Sequence, residues 1–304
     1  MNPGKGLARA VVALVLAAPL AAQPPPLWGG LKAGRHTVGY RRASLGAGTL
    51  HVWFPATDAR GKRLRVGGYF DRESGEALPA RLRDAPSAAF PEAVAAGGPF
   101  PLILYAGEPG VAGPDNTVLA EYLASHGYVV AAVSGTESGL DAALGAVAGL
   151  SYVSRDAIAV VARGRAWLSA VEFAAARPAV RAILGLDPPP GAPAAVAPGR
   201  SLAVLEFRAD APARGSHGVA VPPGTAGIAL TVPRSTAQSF GDRAAWLDFL
   251  DQGEDAAPDH RRLIGGVAHA FLDGALRAWG PSLADLATRL SRAGLRVEGA
   301  SRAP

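Results

Sequence analysis

The chain has 304 residues, a length that allows one or two domains and that α/β folds often reach as one. Hydrophobic residues make up 49% and charged residues 18%, which excludes a disordered chain, and the absence of cysteine excludes a disulfide scaffold, cysteine zinc sites, a thiol nucleophile and a lipobox anchor. The net charge is +5, or +3 without Lys5 and Arg9; with scattered arginines and no basic stretch interleaved with aromatics, it is too mild to imply a nucleic-acid partner.

Lys5 and Arg9 precede an apolar run from Ala10 to Ala22 that ends in small residues before Gln23. This reads as a signal peptide over 1–22, with Leu20 where a small residue is usual. The run is short for a transmembrane span, so the expectation is an exported protein, periplasmic or extracellular, without stable membrane insertion after cleavage. An uncleaved anchor is the alternative. Pro24-Pro25-Pro26 reads as a stiff spacer within a linker over 23–35.

His36–Tyr40 and Thr49–Pro55 read as strands, the second with Leu50, Val52 and Phe54 alternating. Residues 57–98 are polar, Gly-rich or Ala-rich and read as irregular. Pro101–Tyr105 is a short apolar run of the kind buried in a parallel sheet. Asn116–Ser125 has helical spacing, Tyr128–Val133 is a buried strand, and Gly139–Leu150 an Ala-rich helix. The strand Ala157–Ala162, the helix Arg165–Arg177 and the strand Val180–Leu186 follow. Ser201–Phe207 and Gly227–Val232 are further strands, and Asp242–Asp251, His260–Trp279 and Ser282–Ala293 are helices. Such alternation implies one domain over 36–297, a mostly parallel twisted α/β sheet covered by helices on both faces, with a tail over 298–304. Sites in such sheets lie at the carboxyl ends of the strands, here the turns after Tyr105, Ala162, Leu186 and Val232.

LHVWFPAT (50–57), FPLILYAG (100–107), LAEYLASHGYVVAAVSG (119–135), SYVSRDAIAVVA (151–162) and AAARPAVRAILGLDP (174–188) resemble the exported α/β-hydrolases related to dienelactone hydrolase and platelet-activating-factor acetylhydrolase. The similarity spans roughly Gly34 to Ala278. It implies the α/β-hydrolase fold and a Ser-His-Asp triad acting on carboxylic esters or similar acyl groups. In that family Gly-x-Ser-x-Gly follows the strand, and a sharp turn lifts the serine above the sheet. Here the matching segment is Ala162-Arg163-Gly164-Arg165-Ala166, and Gly164 stands at the nucleophile position, 23 residues before Asp187. Asp187 matches the triad acid, with Asp210 as the alternative after the next strand. The loop that carries the family's histidine runs Pro233 to Asp242 and places Ala237 at the base position.

The chain has no Gly-x-Ser-x-Gly anywhere. Ser282 reads as a helix cap, Gly149-Leu150-Ser151 as a helix end, and Ser169 as a small residue packed on the sheet. His269, in Gly266-Val267-Ala268-His269-Ala270-Phe271, is a rival base but lies in a helical stretch. His126 reads as structural, and His36, His51, His217 and His260 show no partner spacing that suggests chemistry or metal. The oxyanion turn reads Ala106-Gly107-Glu108-Pro109-Gly110, which places an anion where a negative charge must develop unless Arg163 or Arg165 pairs with Glu108.

Without nucleophile and base, acyl-enzyme chemistry by the usual route is lost. The expectation is a degenerate hydrolase homologue, a pseudoenzyme needing no cofactor and no metal. Its remnant cleft would be lined by Gly107, Glu108, Arg163, Gly164, Arg165, Asp187 and Gln238, and its two arginines suggest a small anionic or ester-like ligand. The alternatives are an esterase with relocated catalytic residues, and a structural or interaction protein whose cleft is plugged by Arg163, Arg165 and Trp167.

Overall fold

The computed structural model describes residues 24–46, 48–109, 113–134, 139–189, 202–210, 225–250, 260–277 and 279–299. The signal-peptide reading over 1–22, His217, the ends of two expected elements (Ser201 and Asp251) and Ala278 within the expected helix His260–Trp279 lie outside the described residues, as does most of the tail.

Among the described residues eleven strands form one sheet: β1 (Thr37–Leu45), β2 (Gly48–Asp58), β3 (Ala89–Phe90), β4 (Val94–Ala95), β5 (Phe100–Ala106), β6 (Val129–Ser134), β7 (Val153–Arg163), β8 (Val180–Leu186), β9 (Ala203–Ala209), β10 (Ala226–Val232) and β11 (Arg296–Glu298). Among the described residues eight α-helices accompany them: α1 (Arg72–Glu76), α2 (Ala80–Arg83), α3 (Thr117–Ser125), α4 (Leu140–Val147), α5 (Ala166–Ala175), α6 (Asp242–Phe249), α7 (His260–Leu272) and α8 (Leu283–Arg292). The strand order is β11-β10-β9-β8-β7-β5-β6-β2-β1-β3, with β4 paired to β2. From β10 across to β6 every pairing is parallel, and each connection has the dozen or more residues that a parallel crossover needs. β2, β1 and β11 attach antiparallel at the two ends.

The parallel strands are nearly all apolar because both of their faces are covered. Ile103, Val130, Val161 and Leu184 point to the side of α3, α7 and α8, and Leu104, Val129, Val160 and Ile183 to the side of α4 and α5. In register, Ala106 pairs with Ala162 and Arg163 with Leu186, so the ends of β5, β7 and β8 lie side by side. No helix among the described residues is long and apolar enough to cross a membrane.

Three expectations need correction. Residues 57–98 are not irregular throughout: they hold a 3-10 turn (Val66–Tyr69), α1, α2, β3 and β4. These elements are two to five residues long and carry too little periodicity to read. The described part of the expected linker is no spacer. Pro26–Trp28 forms a 3-10 turn, Leu27, Trp28 and Leu31 are buried, and the Trp28 indole donates to Glu121 on α3 at 2.8 Å. The helix expected over His260–Trp279 is regular only to Leu272, then widens into a π turn over Asp273–Arg277.

Candidate functional site

Gly164 occupies the sharp turn from β7 into α5, as its sequence position requires. Its φ is +52°, its N–H donates to Leu186 O at 3.0 Å, and its carbonyl accepts from Trp167 N as the helix starts. The left-handed backbone suits glycine, which has no Cβ to strain. The space where a side chain would begin is already filled: a Cβ built on Gly164 overlaps Glu108 Oε2.

Glu108 reaches this point from the turn after β5. Its Oε1 accepts from Arg165 Nε at 2.8 Å and its Oε2 from the Arg165 backbone N–H at 3.1 Å. In α/β-hydrolase chemistry the N–H of the residue after the nucleophile is one oxyanion donor, and an N–H in this strand-to-helix loop is the other. The second is engaged too, since Glu108 N–H donates to Asp115 Oδ2 at 3.3 Å. Both backbone donors that would stabilise a tetrahedral oxyanion are therefore held by the protein's own carboxylates.

Asp115, just before α3, ties the second arginine. Arg163 Nη1 donates to Asp115 Oδ2 at 2.7 Å, with side-chain exposures of 18% and 7%. Burial works against the Arg163 charge, but the adjacent carboxylate outweighs it and raises its pKa above the ordinary value. The other guanidinium arm reaches Ala237 O at 3.5 Å, and a Cβ on Gly241 would come within 2.9 Å of Arg163 Cζ. A guanidinium thus lies over the expected base position. The anticipated Glu108–arginine pair exists with Arg165, while Arg163 takes Asp115. The four charges cancel. Trp167 does not join this plug: it is buried under the sheet, against Gly185.

Asp187 follows β8 with φ +53°. Its N–H donates to Phe207 O at 2.8 Å and its Oδ1 accepts from Ala209 N–H at 3.2 Å. Asp187, the expected acid position, thus holds the end of β9. Asp210, the alternative acid, accepts from Arg234 N–H at 2.9 Å, bracing the loop after β10. Ala237 and Gln238 lie exposed on a 3-10 turn, Ala237–Phe240. That turn is clamped to α3 by Asn116 Nδ2, which donates to Phe240 O, and by Asp242, whose carboxylate accepts from Thr117 N–H, Thr117 Oγ1 and Val118 N–H. Burial pushes Asp242 up to about 6. Gly107 is close-packed, since a Cβ there would come 2.9 Å from Asp115 Oδ1.

The rival histidines are engaged elsewhere. His269 Nε2 lies 3.2 Å from Asp273 Oδ2, its ring packs on His126 at 4.1 Å, and burial first, then His126, lowers its pKa to about 4. His260 binds Pro233 O and His126 binds Lys32 O. Ser282 caps α8 through Asp285 N–H. Ser169 is not packed on the sheet. It is exposed on the wall of a cavity of about 330 Å³ between α4 and α5, with Gly107, Asp141, Glu172, Phe173 and Arg177. Among the described residues no cluster of three His, Asp or Glu side chains could hold a metal.

Sequence reasoning missed Asp115 and His51. A lone Asp before a helix carries no signal that it will meet an arginine 48 residues away. His51 does have partners: its Nε2 lies 3.1 Å from Ser134 Oγ and its Nδ1 2.8 Å from Tyr40 OH. They sit on three different strands, so no short motif betrays them.

No family model matches the chain, and no curated protein matches it. Among solved structures it is similar to a ferulic acid esterase from Streptomyces cinnamoneus, with a TM-score of 0.62 and 20% identity over 88% of this chain and 96% of that one. The strand order, the covered parallel sheet and this likeness establish the α/β-hydrolase fold.

Proposed function

We propose that this protein is an exported α/β-hydrolase homologue in which acyl transfer at the strand-helix turn has been lost, leaving a binding or structural role. A hydrolase of this type needs a nucleophile above the turn, a base beside it and open oxyanion donors. The observation that carries the reading is the Glu108 carboxylate. It lies where the nucleophile's side chain would begin and accepts the Arg165 N–H. Gly164 and Ala237 offer neither a hydroxyl nor an imidazole, and fold alone implies no activity. The basic, apolar leader is what supports export, to the periplasm or the outside.

An anionic or ester-like ligand at the two arginines draws less support than the sequence suggested. Arg165 holds Glu108 and Arg163 holds Asp115, so an added anion would compete with two existing ion pairs. A ligand-binding role finds its room instead in the neighbouring cavity of about 330 Å³, which is within the usual size range for small-molecule sites.

The test is steady-state hydrolysis of aryl acetates and feruloyl esters by the full chain. The expected result is no multiple turnover above buffer. A kcat/KM above about 10⁴ M⁻¹s⁻¹, the ordinary range for enzymes, overturns the reading.

A further inference from the structure

We propose that Ser134 is an acyl-accepting serine outside the strand-helix turn, attacking activated acyl and phosphonyl donors once per molecule with His51 as its base. Ser134 is the last residue of β6, half-buried, on the same carboxyl edge of the sheet as Ala106 and Arg163. β6 pairs with β2, which carries His51 opposite Ala132, and β2 pairs with β1, which carries Tyr40 opposite Trp53. Side chains two apart on a strand share a face, so Ser134, His51 and Tyr40 form one line across three neighbouring strands.

The line is rigid. The His51 ring is 1% exposed and stacks on Trp53 at 5.9 Å and 19°. Nε2 lies 3.1 Å from Ser134 Oγ, and Nδ1 lies 2.8 Å from Tyr40 OH. The proposed step uses the tautomer in which Nδ1–H donates to the phenol oxygen, which leaves the Nε2 lone pair to the serine hydroxyl. Burial first, and the charge of Arg42 second, lower the His51 pKa to about 4. The ring is therefore neutral, in its base form, through the physiological range. Burial also raises the Tyr40 pKa, so the phenol stays protonated and supplies orientation rather than charge.

The chemistry balances simply. Ser134 Oγ forms a bond to the acyl carbon or phosphorus, and its proton passes to His51 Nε2. The bond to the leaving group breaks, and the imidazolium returns its proton to the departing phenolate; with a fluorophosphonate the leaving group is fluoride. The fold's two oxyanion donors are held by Glu108 and Asp115. The step thus depends on a good leaving group, and the weakly basic imidazole favours a stable adduct over turnover. That is compatible with the loss of steady-state hydrolysis and is distinguished from it by stoichiometry.

The experiment treats the full chain with a fluorophosphonate probe and maps the adduct by peptide mass spectrometry. Ser134 is expected to carry the label, with none there in Ser134→Ala and labelling about 10²-fold slower in His51→Gln, the usual share of a positioned base. Because His51 is buried, the pH profile of the unaltered protein gives an independent reading. Its rate should hold down to about pH 5 and fall towards pH 4, whereas an unassisted serine would slow about tenfold per pH unit throughout. Ser134 unlabelled, a label only at another serine, or a hydroxide-dependent profile overturns the proposal.

Discussion

The carboxylate of Glu108 fills the space in which any side chain on Gly164 would have to start. Replacing the glycine is therefore not enough to rebuild a nucleophile. Gly164→Ser with Ala237→His should remain inactive towards aryl acetates, because the serine must displace Glu108 while the Arg165 N–H stays occupied. Adding Glu108→Ala frees both the space and that donor. The triple variant should hydrolyse aryl acetates at least ~10² times faster than the double, the usual worth of one oxyanion donor. Equal rates for the two would show that Glu108 does not close the site.

Arg163 and Asp115 form a pair that water reaches only slightly, with side-chain exposures of 18% and 7%. Removing one partner leaves the other charge buried and alone, which costs about 3–5 kcal/mol, while replacing both by apolar groups is often close to neutral. Arg163→Met should thus lose roughly 3 kcal/mol in urea unfolding, and Arg163→Met with Asp115→Leu should recover much of it. Simple addition of the two single losses would place the stabilising interactions elsewhere.

The parallel core was readable because buried strands are short apolar runs: PLILY, YVVAAV and VRAILGL all lie within observed strands or overlap them. The Gly164 turn and the position of Asp187 were readable for the same reason, since the strands fix their register. What stayed hidden depends on long-range pairing. Arg163 meets Asp115 across 48 residues, and His51 meets Ser134 across 83. The Trp28 anchor looked like part of a proline spacer because its partner, Glu121, lies 93 residues away inside a helix. β11 was missed because three residues of alternating charge signal no strand.

Glu121 gives the protein a pH signature. It is fully buried, accepts from Trp28 Nε1, Tyr69 OH and Ala88 N–H, and is pushed up to about 7, chiefly by desolvation. A raised carboxylate pKa means that the folded state binds the proton more tightly than the unfolded chain. Its contribution is full below about pH 4.5 and is lost as pH rises towards 7. Asp242, raised to about 6, acts in the same direction. His51 and His269, lowered to about 4, oppose it, since their contribution is lost as pH falls from 6.5 towards 4. Comparing Glu121→Gln with the parent at each pH cancels the other groups. The variant should gain on the parent between pH 5 and pH 7.5, by up to ~3 kcal/mol. A constant difference in urea midpoints across that range would refute the shift.

Trp28 tests whether residues 24–31 belong to the folded domain. It is 1% exposed, packs edge-on against Tyr122 at 6.0 Å and satisfies Glu121. Trp28→Ala removes a large buried ring and one of the three donors to a buried carboxylate. The expected loss is about 3–5 kcal/mol in chemical unfolding. Trp28→Phe keeps most of the packing and loses the donor, so it should fall between the two. A Trp28→Ala variant as stable as the parent would return residues 24–31 to the status of a spacer.

Asp187 separates a retained catalytic acid from a structural one. It holds a φ of +53°, a region that Asn and Asp enter more easily than other residues with a side chain. Its Oδ1 accepts from Ala209 N–H, which a carboxamide oxygen can also do. If its work is to end β8 and hold β9, shape matters more than charge. Asp187→Asn should then unfold within about 0.5 kcal/mol of the parent, whereas Asp187→Ala should lose about 1–3 kcal/mol from backbone strain and the orphaned N–H. The same pair of variants should leave Ser134 labelling by a fluorophosphonate unchanged, since Asp187 has no place in the His51–Tyr40 line. An Asp187→Asn variant that folds normally but loses that labelling would return the residue to an acid's role.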